Sequence, residues 1–309
     1  MKSQFVADLQ PSGDVLSFFL VRFQRLQPFR DRSKGEYLTL MLADHTGEIP
    51  ARVWERGPEV AEEITRGTVV KVKGKVEAYR GRKRLIVARI RPAEPEEYEP
   101  ADFVRTSERD VEAMLSDIRE AIAAVEEPHL QRLLRSFFGD EEFRASLRQA
   151  PATLRLHHAY QGGLLEHTVD MMALSRPLLS ITPELDADLL TAGILLHDVG
   201  RVAEFRFSGL DITITDEGRL LGHLVLGDRL VSEHIAQSAD FPQALALQLR
   251  HMILGHHRRA EWEAPQSLRT LEAVALFHLN ELNGQVNRFA ELLSARREPG
   301  HAWMPTIPA

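Results

Sequence analysis

The sequence predicts two domains, a small all-β barrel followed by an all-α domain, and three observations carry that expectation. Short β-patterned stretches fill residues 15–92, and an acidic, proline-rich break follows at residues 93–106. From about Ser107 onward, apolar residues recur at helical spacing. The expected boundaries are therefore 1–92 for the barrel, 93–106 for a linker, 107–298 for the helical domain and 299–309 for a tail. A length of 309 residues agrees, being long for one ordinary domain.

Composition narrows the class. With 44% hydrophobic and 27% charged residues the chain can bury a full core. No apolar run approaches the ~20 residues that cross a bilayer. Met1 to Val15 lacks the basic start and apolar stretch of a signal peptide, so a cytoplasmic protein with no membrane partner is expected. Zero cysteines exclude disulfides and thiolate sites, leaving His, Asp, Glu or Asn to hold any metal. The net charge of -7 argues against a uniformly basic surface. A local patch nevertheless runs through Arg66, Lys71, Lys73, Lys75, Arg80, Arg82, Lys83, Arg84, Arg89 and Arg91, opposed only by Glu77. Such a patch can steer a polyanion onto an acidic protein.

The β elements come first. Val15 to Phe23 is β-rich, and Tyr37 to Asp44 runs through the turn signal Asp44-His45-Thr46-Gly47 into Glu48 to Trp54. Pro58 to Thr65 reads as a short helix. Thr68 to Tyr79 alternates apolar and basic residues, turns at Arg80-Gly81-Arg82 and returns through Leu85 to Ile90. Three strands, a helix and two strands is the order of a five-stranded OB barrel. By the period of two, Val70, Val72, Gly74 and Val76 share one face of the fourth strand, and Lys71, Lys73 and Lys75 the other. This stripe, continued by Arg80, Arg82, Lys83 and Arg84, is the candidate nucleic-acid contact. Phe18, Phe19, Phe23, Phe29, Tyr37 and Trp54 supply stacking surfaces nearby, although filling a small barrel uses most of them. A basic groove with aromatics is how OB-folds hold single strands.

The helical elements follow in order. Val111, Leu115, Ile118, Ile122 and Val125 mark one amphipathic helix, and Leu130 to Phe138 and Glu141 to Gln149 follow similarly. Gly162-Gly163 opens a helix over Leu164 to Leu174 that carries His167. Thr182-Pro183 is read as N-cap and first residue of the helix that ends at His197. Phe205 to Thr215 is an extended excursion closed at Gly218. Leu220 to Ala236 carries His223, Pro242 to His257 carries His251, His256 and His257, and Arg269 to Leu293 is a last long helix.

The 13 histidines cluster informatively. His167, His197-Asp198, His223 and His256-His257 lie on successive helices, which a helical domain can bring to one point. Leu195-Leu196-His197-Asp198 places two polar side chains at the end of an apolar run, which is costly unless a partner satisfies them. Neutral imidazole and carboxylate suit Mn²⁺, Fe²⁺, Co²⁺, Ni²⁺ or Zn²⁺, one ion or two.

The strings in order carry a resemblance. His157-His158-Ala159-Tyr160-Gln161-Gly162-Gly163-Leu164-Leu165-Glu166-His167-Thr168, then His197-Asp198-Val199-Gly200-Arg201 with Glu204, then Gly222-His223, then His256-His257, all lie behind an OB-like unit. The chain thus resembles the HD phosphohydrolase superfamily, and within it the YhaM-type 3′-to-5′ exoribonucleases, which join an OB-fold to an HD domain. The resemblance implies that His167, His197 and Asp198 hold one metal. Asp198 bridges to a second, held by His223 and His256 or His257. Arg201 stands where the family usually has lysine and neutralises the phosphate, or else pairs with Glu204. Asp198 and Arg201 are the candidate catalytic residues, and Tyr160 either stacks a base or packs. The family's pattern closes the first metal with a late aspartate. Here Glu272-Ala273-Val274-Ala275-Leu276 leads to Asn280 and Asn283, so Asn280 is the candidate closing ligand and a weaker one. Glu281 is no simple replacement, because one helical step turns its side chain by about 100°.

The expected function is a metal-dependent 3′-to-5′ exonuclease on single-stranded RNA, and on single-stranded DNA as a second substrate. Two alternatives stand beside it: a nucleic-acid-binding protein with an impaired HD site, and an HD phosphohydrolase of a nucleotide or cyclic dinucleotide. A homo-oligomer is compatible with the helix-rich chain.

Overall fold

The computed structural model describes residues 2–79, 81–154, 157–257 and 268–295. Arg80 and the expected tail lie outside the described residues. The chain divides into two compact units. One runs through Arg105 and includes Phe207–Thr213, and the other comprises Thr106–Arg206 and the chain from Ile214.

The first unit is a closed five-stranded barrel in the order β1-β2-β3-β5-β4. Its strands are β1 (Asp14–Pro28), β2 (Glu36–Asp44), β3 (Gly47–Val53), β4 (Val69–Tyr79) and β5 (Arg82–Pro92), with α1 (Gly57–Glu63) between β3 and β4. All pairings are antiparallel except β3 with β5, which sets Ala51 against Leu85 and Val53 against Val87. The long β1 closes the barrel by pairing with β4 over Asp14–Leu20 and with β2 over Leu20–Pro28, bending at a bulge between Val21 and Phe23. Alternate residues point inward. Phe19, Val21, Leu38, Leu40, Leu42, Ile49, Val70, Val72, Val76 and Leu85 form the core, and Val60 and Ile64 from the α1 region pack onto it. In β4 the valines are buried and the lysines are not, as the alternation predicts.

The acidic, proline-rich segment expected as a linker is instead part of this unit. Pro95–Glu97 and Pro100–Asp102 form 3-10 turns. Phe103 is buried with Phe18, Leu20 and Val69. Glu97 accepts two hydrogen bonds from Arg91, both 2.7 Å, and one from Lys71 at 3.2 Å. The composition that reads as a linker is thus a complement to basic strands β4 and β5. Phe103→Ala should cost about 3–5 kcal/mol, typical for emptying a buried aromatic site. Limited proteolysis should then cut within residues 93–105, where the native chain resists.

The second unit is helical: α2 (Val111–Ala124), α3 (Pro128–Phe138), α4 (Glu141–Gln149), α5 (Gly163–Ile181), α6 (Ala187–Leu196), α7 (Arg201–Glu204), α8 (Asp216–Ala236), α9 (Gln243–Gly255) and α10 (Leu271–Ala295). Between α7 and α8 in the chain runs the two-stranded hairpin β6 (Phe205–Ser208) and β7 (Asp211–Ile214), the expected extended excursion, of which Phe207–Thr213 belongs to the first unit. Asp110, Glu127, Asp140 and Asp186 cap α2, α3, α4 and α6 by accepting backbone N–H bonds. α6 is the central helix, buried from Leu189 through Leu196 except Thr191, and it packs against α3, α5, α9 and α10.

Three helix limits differ most from expectation, and one of them is the start of α8, at Asp216 where the sequence predicts Leu220, with Thr215 as its N-cap. α6 starts at Ala187, because Asp186 and not Thr182 is the N-cap, its carboxylate accepting from Leu189 N at 2.9 Å. Glu272 of α10 accepts from Asp186 N, fixing the cap from a distant element. α5 continues beyond Leu174 to Ile181, taking Pro177 within it. Among the described residues, no helix is long and apolar enough to cross a membrane.

Candidate metal centre and nucleic-acid interface

In the helical unit the predicted histidines do converge. α6 ends with His197 as its C-cap, so Asp198 follows directly in the turn to α7. α5 supplies His167, α8 His223, and the end of α9 His256 and His257. Two glycines make the approach possible. Gly222 has φ +70°, which breaks α8 just before His223. A Cβ on Gly200 would lie 2.0 Å from His223 O, so only glycine lets α7 and α8 come this close.

Three of the ligand-competent imidazoles are oriented through their Nδ1. His197 Nδ1 donates to Ile194 O at 2.8 Å, His256 Nδ1 to Ile253 O at 2.8 Å, and His167 Nδ1 to Asn283 Oδ1 at 2.6 Å. The Nε2 atoms are left as lone pairs, and they face one another and the carboxylate. His167 Nε2 is 3.2 Å from His197 Nε2. His256 Nε2 and His223 Nε2 stand 3.4 and 3.3 Å from Asp198 Oδ1, and His197 Nε2 is 3.7 Å from Asp198 Oδ2. Asp198 Oδ1, His223 Nε2 and His256 Nε2 are buried without a hydrogen-bond partner. Lone pairs turned on each other inside a protein are repulsive unless a cation lies among them. Two imidazole nitrogens sharing one ion at ~2.1 Å stand about 3.0–3.4 Å apart, so the donor set fits a divalent metal.

The protonation states agree with that fit. Burial holds His167 down to about 3 and His197 to about 4, and it lowers His223 and His257 as well. For Asp198, burial pushes upward, but Arg201 and then His197 and His223 outweigh it and keep the carboxyl well below its usual range. Neutral imidazoles around an ionised carboxylate are the state in which metals bind.

Of the two readings of Arg201, the structure shows the pairing with Glu204. Arg201 donates to Glu204 Oε2 at 2.7 Å and sets Nε 3.3 Å from Asp198 Oδ1, while also lining a cleft. That cleft, about 530 Å³, is further lined by His157, His223, His257, Asn280, Glu281 and Arg288. Asn280 is buried at the cleft wall and Asn283, one turn along α10, takes the orienting bond to His167. Sequence reasoning missed that role, as it missed Glu204 beside His223 and the paired His157 and His158; only the repeated Asn at i and i+3 on α10 hinted at it. Asn283→Ala should weaken metal affinity about 10–100-fold, the usual effect of losing a ligand's orienting partner, measured by chelator competition. Of the two readings of Tyr160, the structure shows packing: the residue is buried and its ring lies 5.9 Å from that of His158.

In the barrel unit, the lysine stripe is only partly free. Lys73 and Lys75 are exposed, but Lys71 is bound to Glu97 and lies over the Phe18 ring. Arg84 is paired with Glu77, and Lys83 donates to Leu9 O. Phe18 and Phe19 are core. The opposite wall, β2 and β3, carries a different surface. Tyr37 and Trp54 rings lie 4.7 Å apart with Phe29 at 5.1 and 5.8 Å, and the Arg52 guanidinium is 5.8 Å from the Tyr37 ring. Arg52 also lines a groove of about 370 Å³ with Pro50, Tyr79, Arg82, Lys83 and Arg84, in which Arg84 stacks on Tyr79 at 4.3 Å. Aromatics and guanidinium groups therefore make one continuous band.

Comparison with known proteins covers both units. Residues 20–93 match the OB-fold nucleic acid binding domain and residues 164–284 the HD domain. The 3′-5′ exoribonuclease YhaM of Shouchella clausii is 36% identical over 294 residues, spanning 93% of this chain and 89% of that protein. The 3′-5′ exoribonuclease YhaM of Halalkalibacterium halodurans is 35% identical over 268 residues, 85% of this chain and 81% of that protein.

Proposed function

The chain belongs to the YhaM family of 3′-5′ exoribonucleases, and from that premise we propose that its helical unit hydrolyses the 3′-terminal phosphodiester of a single strand gripped by its barrel. It is a metal-dependent hydrolase with an OB-fold for single-stranded nucleic acid. RNA is the expected substrate, and single-stranded DNA a second. One observation carries the assignment of the site: the Nε2 atoms of buried histidines converge on one another and on Asp198, with His223 Nε2, His256 Nε2 and Asp198 Oδ1 lacking any hydrogen-bond partner.

His167, His197 and Asp198 would hold one ion, and His223 and His256, with His257 beside them, a second that shares Asp198. Divalent metal supplies an activated water and charge neutralisation at the phosphodiester. The nitrogen-rich donor set suits Mn²⁺, Fe²⁺, Co²⁺, Ni²⁺ or Zn²⁺ better than Mg²⁺ or Ca²⁺. The protein's own groups bind and orient. The cleft accepts the terminal nucleotide, and Arg201 and Arg288 bring positive charge to its phosphate. Glu204 keeps the Arg201 guanidinium from turning away. Asp198 stays ionised because Arg201 and the histidines outweigh its burial, so its two oxygens serve both sides of the site.

The test uses purified full-length protein, a 5′-labelled single-stranded RNA and each of these five ions in turn. A ladder shortened from the 3′ end is expected, and no shortening with any ion overturns the reading.

A further inference from the structure

One charged residue of the cleft in the helical unit has no task in the site described above. Along α10, Glu281, Gly284, Gln285 and Arg288 recur at helical spacing, and all four line the cleft. Glu281 directly follows Asn280, and Arg288 comes two turns later, about 10 Å further along the axis. Among the described residues that line the cleft, Glu281 is the only carboxylate, and its charged neighbours there are Arg201 and Arg288.

A carboxylate opposes the binding of a polyanion, and a half-buried one is screened less than one in open solvent. Its place is nevertheless fixed. Gln285 Nε2 donates to Glu281 Oε2 at 3.0 Å, a pairing at i and i+4 that holds the side chain on the cleft face. Among the described residues nothing donates to Oε1, so that oxygen is left for a ligand. Gly284 keeps this part of the cleft open, because a Cβ there would lie 3.0 Å from His157 Nε2. An acceptor with no protein donor, in a cleft whose other charges attract phosphate, suits a hydroxyl group of the substrate. The last nucleotide of a strand has one that no internal nucleotide has: its 3′ oxygen carries a proton, whereas every internal 3′ oxygen is esterified to phosphate. A 3′-phosphate at the same place removes that donor and adds negative charge.

We propose that Glu281 reads the end of the strand: its Oε1 accepts the 3′-hydroxyl of the terminal nucleotide, and its charge turns away ends that carry a 3′-phosphate. The inference rests on the exonuclease reading above and names a specificity residue for it. Full-length protein, with the ion that supports the most shortening, is given three 5′-labelled single-stranded RNAs of one sequence. They end in a 3′-hydroxyl, a 3′-deoxy residue or a 3′-phosphate, and kcat/KM is measured for removal of the last nucleotide. The native protein should prefer the hydroxyl end over each of the others by at least about tenfold, the usual worth of a hydrogen bond to a charged group. In Glu281→Ala both preferences should fall to within about threefold. Glu281→Gln keeps an acceptor but not the charge, so it should recover part of the preference over the 3′-deoxy end and none of that over the 3′-phosphate. Equal native rates on the three ends overturn the proposal and leave the exonuclease reading intact. So do variants that slow all three substrates in parallel with the ratios unchanged, which is what a merely structural role would give. No shortening of any end by the native protein overturns the exonuclease reading and this inference with it.

Discussion

Asp198→Asn lowers kcat by at least about a thousandfold while single-strand binding stays close to native. The size follows from position. Among the described residues, Asp198 is the only carboxylate in the cluster of His223, His256 and His257 and in that of His167 and His197, and it belongs to both. Losing it removes a ligand from each end of the site and the charge that draws a cation there, more than the 10–100-fold that follows from disturbing a ligand's outer support. Asparagine keeps the shape and one acceptor oxygen, so the fold is retained, and Arg201 keeps its bond to Glu204. Melting curves check the cause. Added Mn²⁺ should raise the native melting temperature by binding the folded state alone, and that rise should vanish in the variant. Turnover within tenfold of native would show that hydrolysis does not run through Asp198.

What was legible in the sequence follows the range of the interactions involved. The barrel was readable because its signal is local: β4 writes core and surface on alternate residues, and one turn signal fixes the β2–β3 hairpin. The His-Asp dyad was readable because an apolar helix ended in it. Other features depend on partners far along the chain. Thr182-Pro183 and Asp186 are both good helix starts, and Glu272, 86 residues on, decides for Asp186. Residues 93–106 resemble a linker until Glu97 is set against Lys71 and Arg91, the first of them 26 residues back. Periodicity puts Asn280 and Asn283 on one face of α10, but only the packing of α10 on α5 gives Asn283 to His167. Tyr160 sits inside a motif rich in polar residues, and its burial is a property of the packed unit.

Trp54→Ala combined with Tyr37→Ala should weaken binding of a single-stranded RNA far more than Lys73→Gln combined with Lys75→Gln. Base–aromatic stacking is worth about 1–3 kcal/mol per base, or roughly 5–150-fold for each ring removed. An exposed lysine contributes one screened phosphate contact, so its loss costs a few-fold and lowers the salt slope by about 0.7 for a single strand. The geometry favours the rings. Trp54 is 37% exposed, it stacks with Tyr37 and Phe29, and Arg52 joins this cluster to the groove of Tyr79, Arg82 and Arg84. On the lysine wall, Glu97 places a carboxylate beside Lys71 and Arg91, which repels a phosphate backbone. Fluorescence anisotropy in chelator, where no strand is cut, compares the two pairs over a range of salt. Because hydrolysis belongs to the helical unit, the aromatic pair should raise KM for long RNA and leave kcat near native. A larger loss from the lysine pair would put the strand along β4, where alternation alone had placed it.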